Sequence, residues 1–153
     1  MGQTNNSVDW LDQLGEDMDL RRRREHALTD RIVKRAQWLE PIDRQLVLAM
    51  FRDGQSAQSI ANRFGGCPRH IRRRIKKLVH RLNDPRLAYV VAHHEKWTKS
   101  RRSIARCLFI QGRSMRETTQ ELGMSFYSVR KHREAIDAMC QAAINAGQMR
   151  TWR

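Results

Sequence analysis

Basic side chains dominate the stretch GGCPRHIRRRIKKLVHRL at residues 65–82, and the chemistry open to them is the binding of polyanions. Arginine donates paired hydrogen bonds to guanine or to phosphate, and lysine attracts phosphate as a point charge. The chain of 153 residues has 30 Lys and Arg against 16 Asp and Glu, a formal net charge of +14. Such a charge favours nucleic acid as a partner before an acidic membrane surface. On charge alone, a basic protein without a polyanionic partner is the alternative.

Drawn as a helix, this stretch separates an apolar side from a basic side. Its apolar residues recur at helical spacing and predict a buried stripe, formed by Ile71, Ile75, Leu78 and Leu82. The basic residues at the centre and flanks of the opposite side are Arg69, Arg73, Lys76, His80, His70, Arg72 and Lys77. This face suits a nucleic-acid groove, and a solvated cationic face is the alternative.

The early turns of a helix that enters the major groove reach base edges, and other positions meet the backbone. We therefore predict base contacts from Arg69, His70 and Arg73. Phosphate contacts are predicted from Arg72, Lys76, Lys77 and Ser56.

Patterns typical of catalysis or of metal binding are missing from the sequence. It has no Ser/His/Asp or Cys/His arrangement, no phosphate-cradling glycine loop and no paired carboxylates. Cys67, Cys107 and Cys140 are far apart without a C-x-x-C pair, which fits a reducing cytoplasm rather than a disulfide framework or a zinc site. The adjacent His93 and His94 would lie on different sides of a helix. We expect no enzyme activity, no metal and no cofactor.

No apolar stretch approaches the roughly 20 residues needed to cross a bilayer, and no signal peptide is apparent. The sequence therefore predicts a cytoplasmic, nucleoid-associated protein without a membrane partner.

The elements that must position the basic helix occur twice along the chain. A shift of 58 residues superposes GQSAQSIANRFGGCPRHIRRR on GRSMRETTQELGMSFYSVRKH. Small residues coincide in this alignment: Gly54 with Gly112, Ser56 with Ser114, and Gly65 with Gly123. Apolar positions coincide as well: Leu46 with Ile104, Ala49 with Cys107, Met50 with Leu108, and Ile71 with Val129. Ser114 and Glu117 also form a capping-box signature. The chain is predicted to contain two copies of a three-helix unit.

A short helix, a tight turn with glycine and a longer helix are the parts of a helix-turn-helix. The segment SIANRFGGCPRHIRRRIKKLVHRL resembles the promoter-reading C-terminal domain of bacterial sigma factors, especially the extracytoplasmic-function class, with its I-A-x-x-L-G turn, proline and V-K-S-R-L-like run. The segment SMRETTQELGMSFYSVRKHREAI is similar to that domain and to LuxR-type helix-turn-helix domains, with their T-V-K-x-H-R-x-x-I run. The resemblance covers residues 38–82 and 97–141 and implies promoter DNA as a partner, with RNA polymerase as a second candidate.

Sigma factors also carry an upstream domain that binds the polymerase core and melts the promoter. About 38 residues precede the first unit here, so we expect a stand-alone regulator rather than a complete sigma factor.

The second long helix has a weaker basic face, on which Glu134 would repel phosphate. The DNA contacts predicted for it are Ser125, Tyr127, Ser128, Arg130 and Lys131. A surface that faces another protein is the alternative.

The predicted fold is all-α, with tandem three-helix helix-turn-helix units, no winged elements and a helical connector. Its segments are an acidic flexible tail (1–18), a basic amphipathic helix (19–38), the first unit (39–83), the connector (84–96), the second unit (97–146) and a tail (147–153). Leu28, Ile32, Ala36 and Leu39 recur at helical spacing in the basic amphipathic helix, and Trp38 and Trp97 should anchor the core.

Together these features predict a sequence-specific double-stranded DNA-binding protein, a bacterial transcription regulator of sigma-like type, acting as a monomer or homodimer. Two alternatives stay open. One is an adaptor that binds RNA polymerase or another protein through the second unit or through the helix with Arg21–Arg24. The other is a binder of structured RNA.

Overall fold

The computed structural model of the protein describes residues 25–149. Residues 1–24 and 150–153 lie outside the described part, and with them the predicted acidic tail, the start of the basic amphipathic helix with Arg21–Arg24, and most of the last tail. Over residues 25–149 the chain is all-α and contains no strand, which confirms the predicted fold class.

The described helices are α1 (25–35), α2 (Pro41–Phe51), α3 (Ala57–Phe64), α4 (Pro68–Asn83), α5 (Pro85–His93), α6 (Lys99–Ala105), α7 (Met115–Leu122) and α8 (Phe126–Asn145). A 3-10 turn follows α1 at Ala36–Trp38 and another follows α5 at His94–Lys96. A π-helical turn, Arg106–Ile110, continues α6.

The backbone repeats with the 58-residue offset found in the sequence. Helix α7 has the bounds of α3 after this shift, and α6 and α8 begin at the positions equivalent to the starts of α2 and α4. A side-chain hydrogen bond repeats as well: Arg44 Nη2 donates to the Leu39 carbonyl at 3.2 Å, and Arg102 Nη2 donates to the Trp97 carbonyl at 3.1 Å. The described chain therefore contains the same order and spacing of helices twice.

Each copy begins one helix earlier than the three-helix pattern suggests. Helix α1 ends at residue 35 and α5 ends at His93, which is the same offset of 58. The segment 84–96 thus occupies in the second copy the place that α1 occupies in the first. Ile32 and Val90 are equivalent positions, and both are buried. We call residues 25–83 the first repeat and residues 84–145 the second.

Local sequence explains where these helices start. Proline occupies the first position of α2, α4 and α5, where its missing N–H is not needed. The Ser56 hydroxyl accepts from the Ser59 amide at 3.1 Å to cap α3. The predicted capping box of α7 is complete, since Ser114 Oγ accepts from the Glu117 amide and the Glu117 carboxylate accepts from the Ser114 amide at 2.7 Å.

One apolar core extends through both repeats. Its buried members from the first repeat are Ile32, Ala36, Leu39, Val47, Leu78 and Leu82, and those from the second are Leu87, Val90, Ala105, Phe109 and Ile136. A second cluster joins α2, α3 and α4 through Leu46, Ala49, Ala57, Ile60, Ala61, Ile71 and Ile75. All four members of the predicted α4 stripe are buried. Trp38 and Trp97 are partly buried against the shared core, as predicted.

The apolar residues at helical spacing along α1 and just after it are not all buried. Ile32, Ala36 and Leu39 are buried, but Leu28 is 40% exposed and belongs to neither apolar cluster. On α1, Ile32 is the first residue that packs against the core. The apolar spacing of the sequence therefore extends one turn beyond the surface that α1 covers.

Candidate nucleic-acid interface

Helix α3 and the turn after it determine how α4 is presented. The Gly65 amide donates to the Ala61 carbonyl at 2.8 Å, and Gly65 and Gly66 have φ angles of 85° and 93°. Residues with a Cβ rarely adopt such angles, so glycine is needed for the chain to leave α3 and enter α4 within three residues. Ile60 and Ala61 pack with Ile71 and Ile75 of α4 in the second cluster. The exposed side of α4 therefore faces away from α3.

The predicted DNA-contacting residues of α4 lie together on this exposed side. All six are exposed, and none forms an ion pair or a side-chain hydrogen bond with another residue in the range 25–149: Arg69, His70, Arg72, Arg73, Lys76 and Lys77. We call them the α4 basic face. Unpaired cations brought close together repel one another, and a bound polyanion would relieve that repulsion.

Asp43 of α2 binds the arginines beside this face. The Asp43 carboxylate accepts from Arg74 Nε at 3.0 Å and lies 2.7 Å from Arg74 Nη2. Its other oxygen lies 3.3 Å from Arg81 Nη2. Arg74 and Arg81 therefore share one acidic partner within the first repeat, whereas the α4 basic face has none in residues 25–149.

Ser56 lies at the start of α3 and is exposed. Its oxygen already accepts the capping hydrogen bond, so a phosphate contact from Ser56 would use the hydroxyl proton. That contact stays a prediction, as do the base and phosphate roles assigned on α4.

The equivalent face of α8 is less cationic. Ser125 caps the helix by accepting from the Ser128 amide at 3.1 Å, and Arg130 pairs with Glu134 at 2.8 Å. Lys131 is exposed and has no ion pair in the described part of the chain. Tyr127, at the position equivalent to Arg69, is 74% exposed.

Phe126 is a surface residue that sequence reasoning missed. It begins α8 and is 56% exposed, so two adjacent aromatic rings protrude at the start of this helix. Its position three residues before the buried Val129 is the spacing of a core residue, so the sequence pattern did not indicate an exposed side chain.

Arg101 and His132 were also missed. Together with Tyr127, Ser128, Lys131 and Ala135 they line a surface cavity of about 400 Å³ between α6 and α8, which we call the α6–α8 cavity. Arg101 precedes the basic region of α8 by more than 25 residues, so linear spacing does not connect them. Its alignment with Asp43 of the first repeat was the available signal.

An arginine–carboxylate network of the second repeat lies at a second cavity, of about 180 Å³, which Arg81 of the first repeat also lines. Arg86 pairs with Asp84 at 2.7 Å and with Asp137 at 3.3 Å, and these hydrogen bonds raise the pKa of its guanidinium. Arg81 lies against Gly112, where a Cβ atom would overlap the guanidinium. The arginines lining this cavity have acidic partners, which leaves little net charge for a ligand.

His93 and His94 are held by local hydrogen bonds. Each is bonded through Nδ1 to a carbonyl of α5 at 2.9 Å. The three cysteines are free, and burial raises the pKa of the Cys107 and Cys140 thiols. Residues 25–149 contain no cluster of three potential metal ligands. In the same range, no helix combines the length and the apolar character that a membrane span requires.

Comparisons with protein-family models, with curated proteins and with solved structures found no match for this chain. The resemblance to sigma-factor and LuxR-type domains therefore stays a prediction.

Proposed function

We propose that this protein is a sequence-specific double-stranded DNA-binding protein and that α4 is its recognition helix. The observation that carries the proposal is the α4 basic face: six exposed basic side chains without an acidic partner in residues 25–149, directly opposite a buried apolar stripe. Helix α3, the glycine turn and α4 then form a helix-turn-helix unit, and the second repeat carries a diverged copy.

The α4 basic face is better explained by a groove than by solvation alone. A solvated surface helix commonly alternates cations with acids, as Arg130 and Glu134 do on α8. On α4 the acid-free surface starts in the first turn, where a recognition helix meets base edges. Its later positions, such as Lys76 and Lys77, suit phosphates.

The direct test is binding of the full chain to duplex DNA as the salt concentration rises. We expect the logarithm of the affinity to fall linearly with the logarithm of salt, with a slope of about −0.9 per neutralised phosphate. A random duplex pool should yield an enriched sequence, whose length and symmetry also report how many repeats read DNA. An affinity that barely responds to salt, or no preference for duplex over single-stranded DNA, would contradict the proposal. Preference for structured RNA would favour the RNA-binding alternative.

A transcription regulator of sigma-like type is the physiological role that we propose for this DNA binding, in the cytoplasm and associated with the nucleoid. It rests on the resemblance of residues 38–82 and 97–141, with RNA polymerase as the candidate protein partner. The protein would act as a monomer or a homodimer, since tandem units can supply both halves of a recognition site.

An adaptor role for the second repeat is favoured by one observation. Phe126 and Tyr127 are large, adjacent and exposed at the start of α8, and aromatic side chains are enriched at protein interfaces. Replacing both by serine separates the two functions. If the second repeat is an adaptor, the variant keeps its duplex affinity and loses binding to RNA polymerase.

A further inference from the structure

The repeats differ in charge at one pair of structurally equivalent positions. In the first repeat, Asp43 of α2 and Arg74 of α4 form an ion pair at 2.7 Å. A shift of 58 residues places Arg101 of α6 and His132 of α8 at the same positions. The acid is replaced by an arginine and the arginine by a histidine, so an attractive pair is exchanged for two basic groups.

Neither basic group has found another partner in the described part of the chain. Arg101 Nε and His132 Nδ1 are buried atoms without a hydrogen bond. A buried polar group that lacks a partner is costly, and native proteins seldom keep one without a reason. Both atoms belong to side chains that line the same cavity, although the atoms themselves are buried.

The remaining polar residues of the α6–α8 cavity point to the same ligand chemistry. Lys131 adds a second full positive charge, while Ser128 and Tyr127 add hydroxyl groups. No acidic residue lines the cavity. Burial is the main reason that the pKa of His132 is lowered, and the neighbouring positive charges of Arg101 and Lys131 lower it further.

We infer that the α6–α8 cavity binds a phosphate group, with Arg101 and Lys131 supplying charge and His132 a ring N–H. Arginine suits this task because its planar guanidinium can donate two hydrogen bonds to one phosphate. The phosphate belongs either to a DNA backbone or to a free phosphorylated ligand. A DNA phosphate as the ligand rests on the proposed function, because the cavity lies on the α8 face equivalent to the α4 basic face. A free phosphorylated ligand does not rest on it.

The decisive variant transfers the pair of the first repeat into the second, as Arg101→Asp combined with His132→Arg. This double variant should fold, because the same pair exists between α2 and α4. With His132 neutral in the unmodified chain, the net charge of the double variant is lower by one. Arg106→Gln is the matched control, because it removes one charge from an exposed arginine next to α6 that does not line the cavity. Arg101→Gln provides a single-residue variant if the double variant fails to fold.

The first measurement is a nuclear magnetic resonance titration of the full chain with inorganic phosphate. We expect saturable shifts of the resonances of the His132 ring and of the Arg101 Nε–H. The double variant should bind phosphate about tenfold more weakly, because it loses one charge-assisted hydrogen bond. The Arg106→Gln control should bind phosphate as the unmodified chain does. The second measurement is the salt dependence of duplex binding. A DNA phosphate in the cavity makes the slope of the double variant shallower than that of the control by about one.

Each outcome assigns or rejects the site. If inorganic phosphate saturates the unmodified chain but not the double variant, the site binds a free phosphate ligand. This conclusion would hold even if the chain fails to bind duplex DNA and the proposed function is wrong. A changed salt slope without a response to inorganic phosphate supports a backbone phosphate. Duplex binding with an unchanged slope and no loss of phosphate binding in the double variant overturns the inference and leaves the proposed function standing.

Discussion

Asp43 of α2 lies 2.7 Å from Arg74 of α4, and within residues 25–149 it is the only acid that forms an ion pair with α4. This pair lies beside the α4 basic face and not on it. The same carboxylate also reaches Arg81 at 3.3 Å. Of the seven arginines and lysines at positions 69–81, two share this one carboxylate and five have no acidic partner in residues 25–149.

Removal of this carboxylate should increase the affinity for DNA. Asp43→Asn releases Arg74 and Arg81, and we expect tighter duplex binding with a salt slope steeper by up to about one. The loss of two partly exposed ion pairs should lower the free energy of unfolding by about 1 kcal/mol. Glu40→Gln is the control, since it changes the net charge equally and Glu40 forms no ion pair in the described chain. Equal affinities for the two variants would contradict the restraining role of Asp43.

Two substitutions on the α4 basic face should have different effects. Arg73→Ala removes a predicted base contact and should cost about 1–3 kcal/mol of discrimination at one base pair. Lys77→Ala removes a predicted phosphate contact and should weaken binding to all sequences alike, with a salt slope smaller by about one. Selection from random duplexes with each variant measures both effects. Identical enriched sequences from the two variants would refute this division of roles.

Gly112 and Gly54 are equivalent positions with different surroundings. Their φ angles are 69° and 66°, but only at Gly112 would a Cβ atom meet another group, the Arg81 guanidinium. Gly54→Ala should therefore cost about 1–2 kcal/mol of stability through backbone strain alone. Gly112→Ala should cost more, because Arg81 must also move away from Asp43. Urea denaturation of both variants measures the difference, which should shrink when Arg81→Ala is added; an unchanged difference would exclude the Arg81 contact as its cause.

Stability should depend on pH through His132. Burial is the main reason that the pKa of this histidine is lowered from its ordinary value of 6.5, and Arg101 and Lys131 add to the effect. The unfolded chain then binds more protons as the pH falls through about 6.5, so the free energy of unfolding decreases on acidification. Denaturation can be measured at several pH values between about 5 and 8. Over this range, the free energy of unfolding should depend less steeply on pH in His132→Asn than in the unmodified chain. A slope unaffected by this substitution would assign the dependence to other groups.

The apolar spacing of the sequence was sufficient to predict the helices and most of the core. Ile71, Ile75, Leu78 and Leu82 are buried as their spacing indicates, because a helix that packs on one side must repeat its contacts every turn. The glycine turn and the capping box were equally local signals. The exposure of Leu28 did not follow from the pattern, because periodicity does not reveal where the opposing surface ends.

Contacts between distant helices were beyond the linear pattern. The segment 84–96 reads as a connector because its composition differs from that of α1, and its equivalence appears only when the backbones are compared. Arg101 and His132 were missed for a related reason. Their common cavity exists only once α6 packs against α8, and the absence of an acidic partner is a property of that packing.

The two repeats form one mechanical body because they share one apolar core. This core includes Leu82 of the first repeat and Leu87 of the second, together with residues of the helices before and after them. Neither repeat can rotate about the duplex axis without the other. If both contact DNA, the helical phase between their half-sites is set by the protein. Inserting about five base pairs would move one half-site to the far side of a duplex whose turn is about 10.5 base pairs, while inserting a full turn would restore the phase but not the distance. Spacing would then be as much a part of the recognised sequence as the bases themselves.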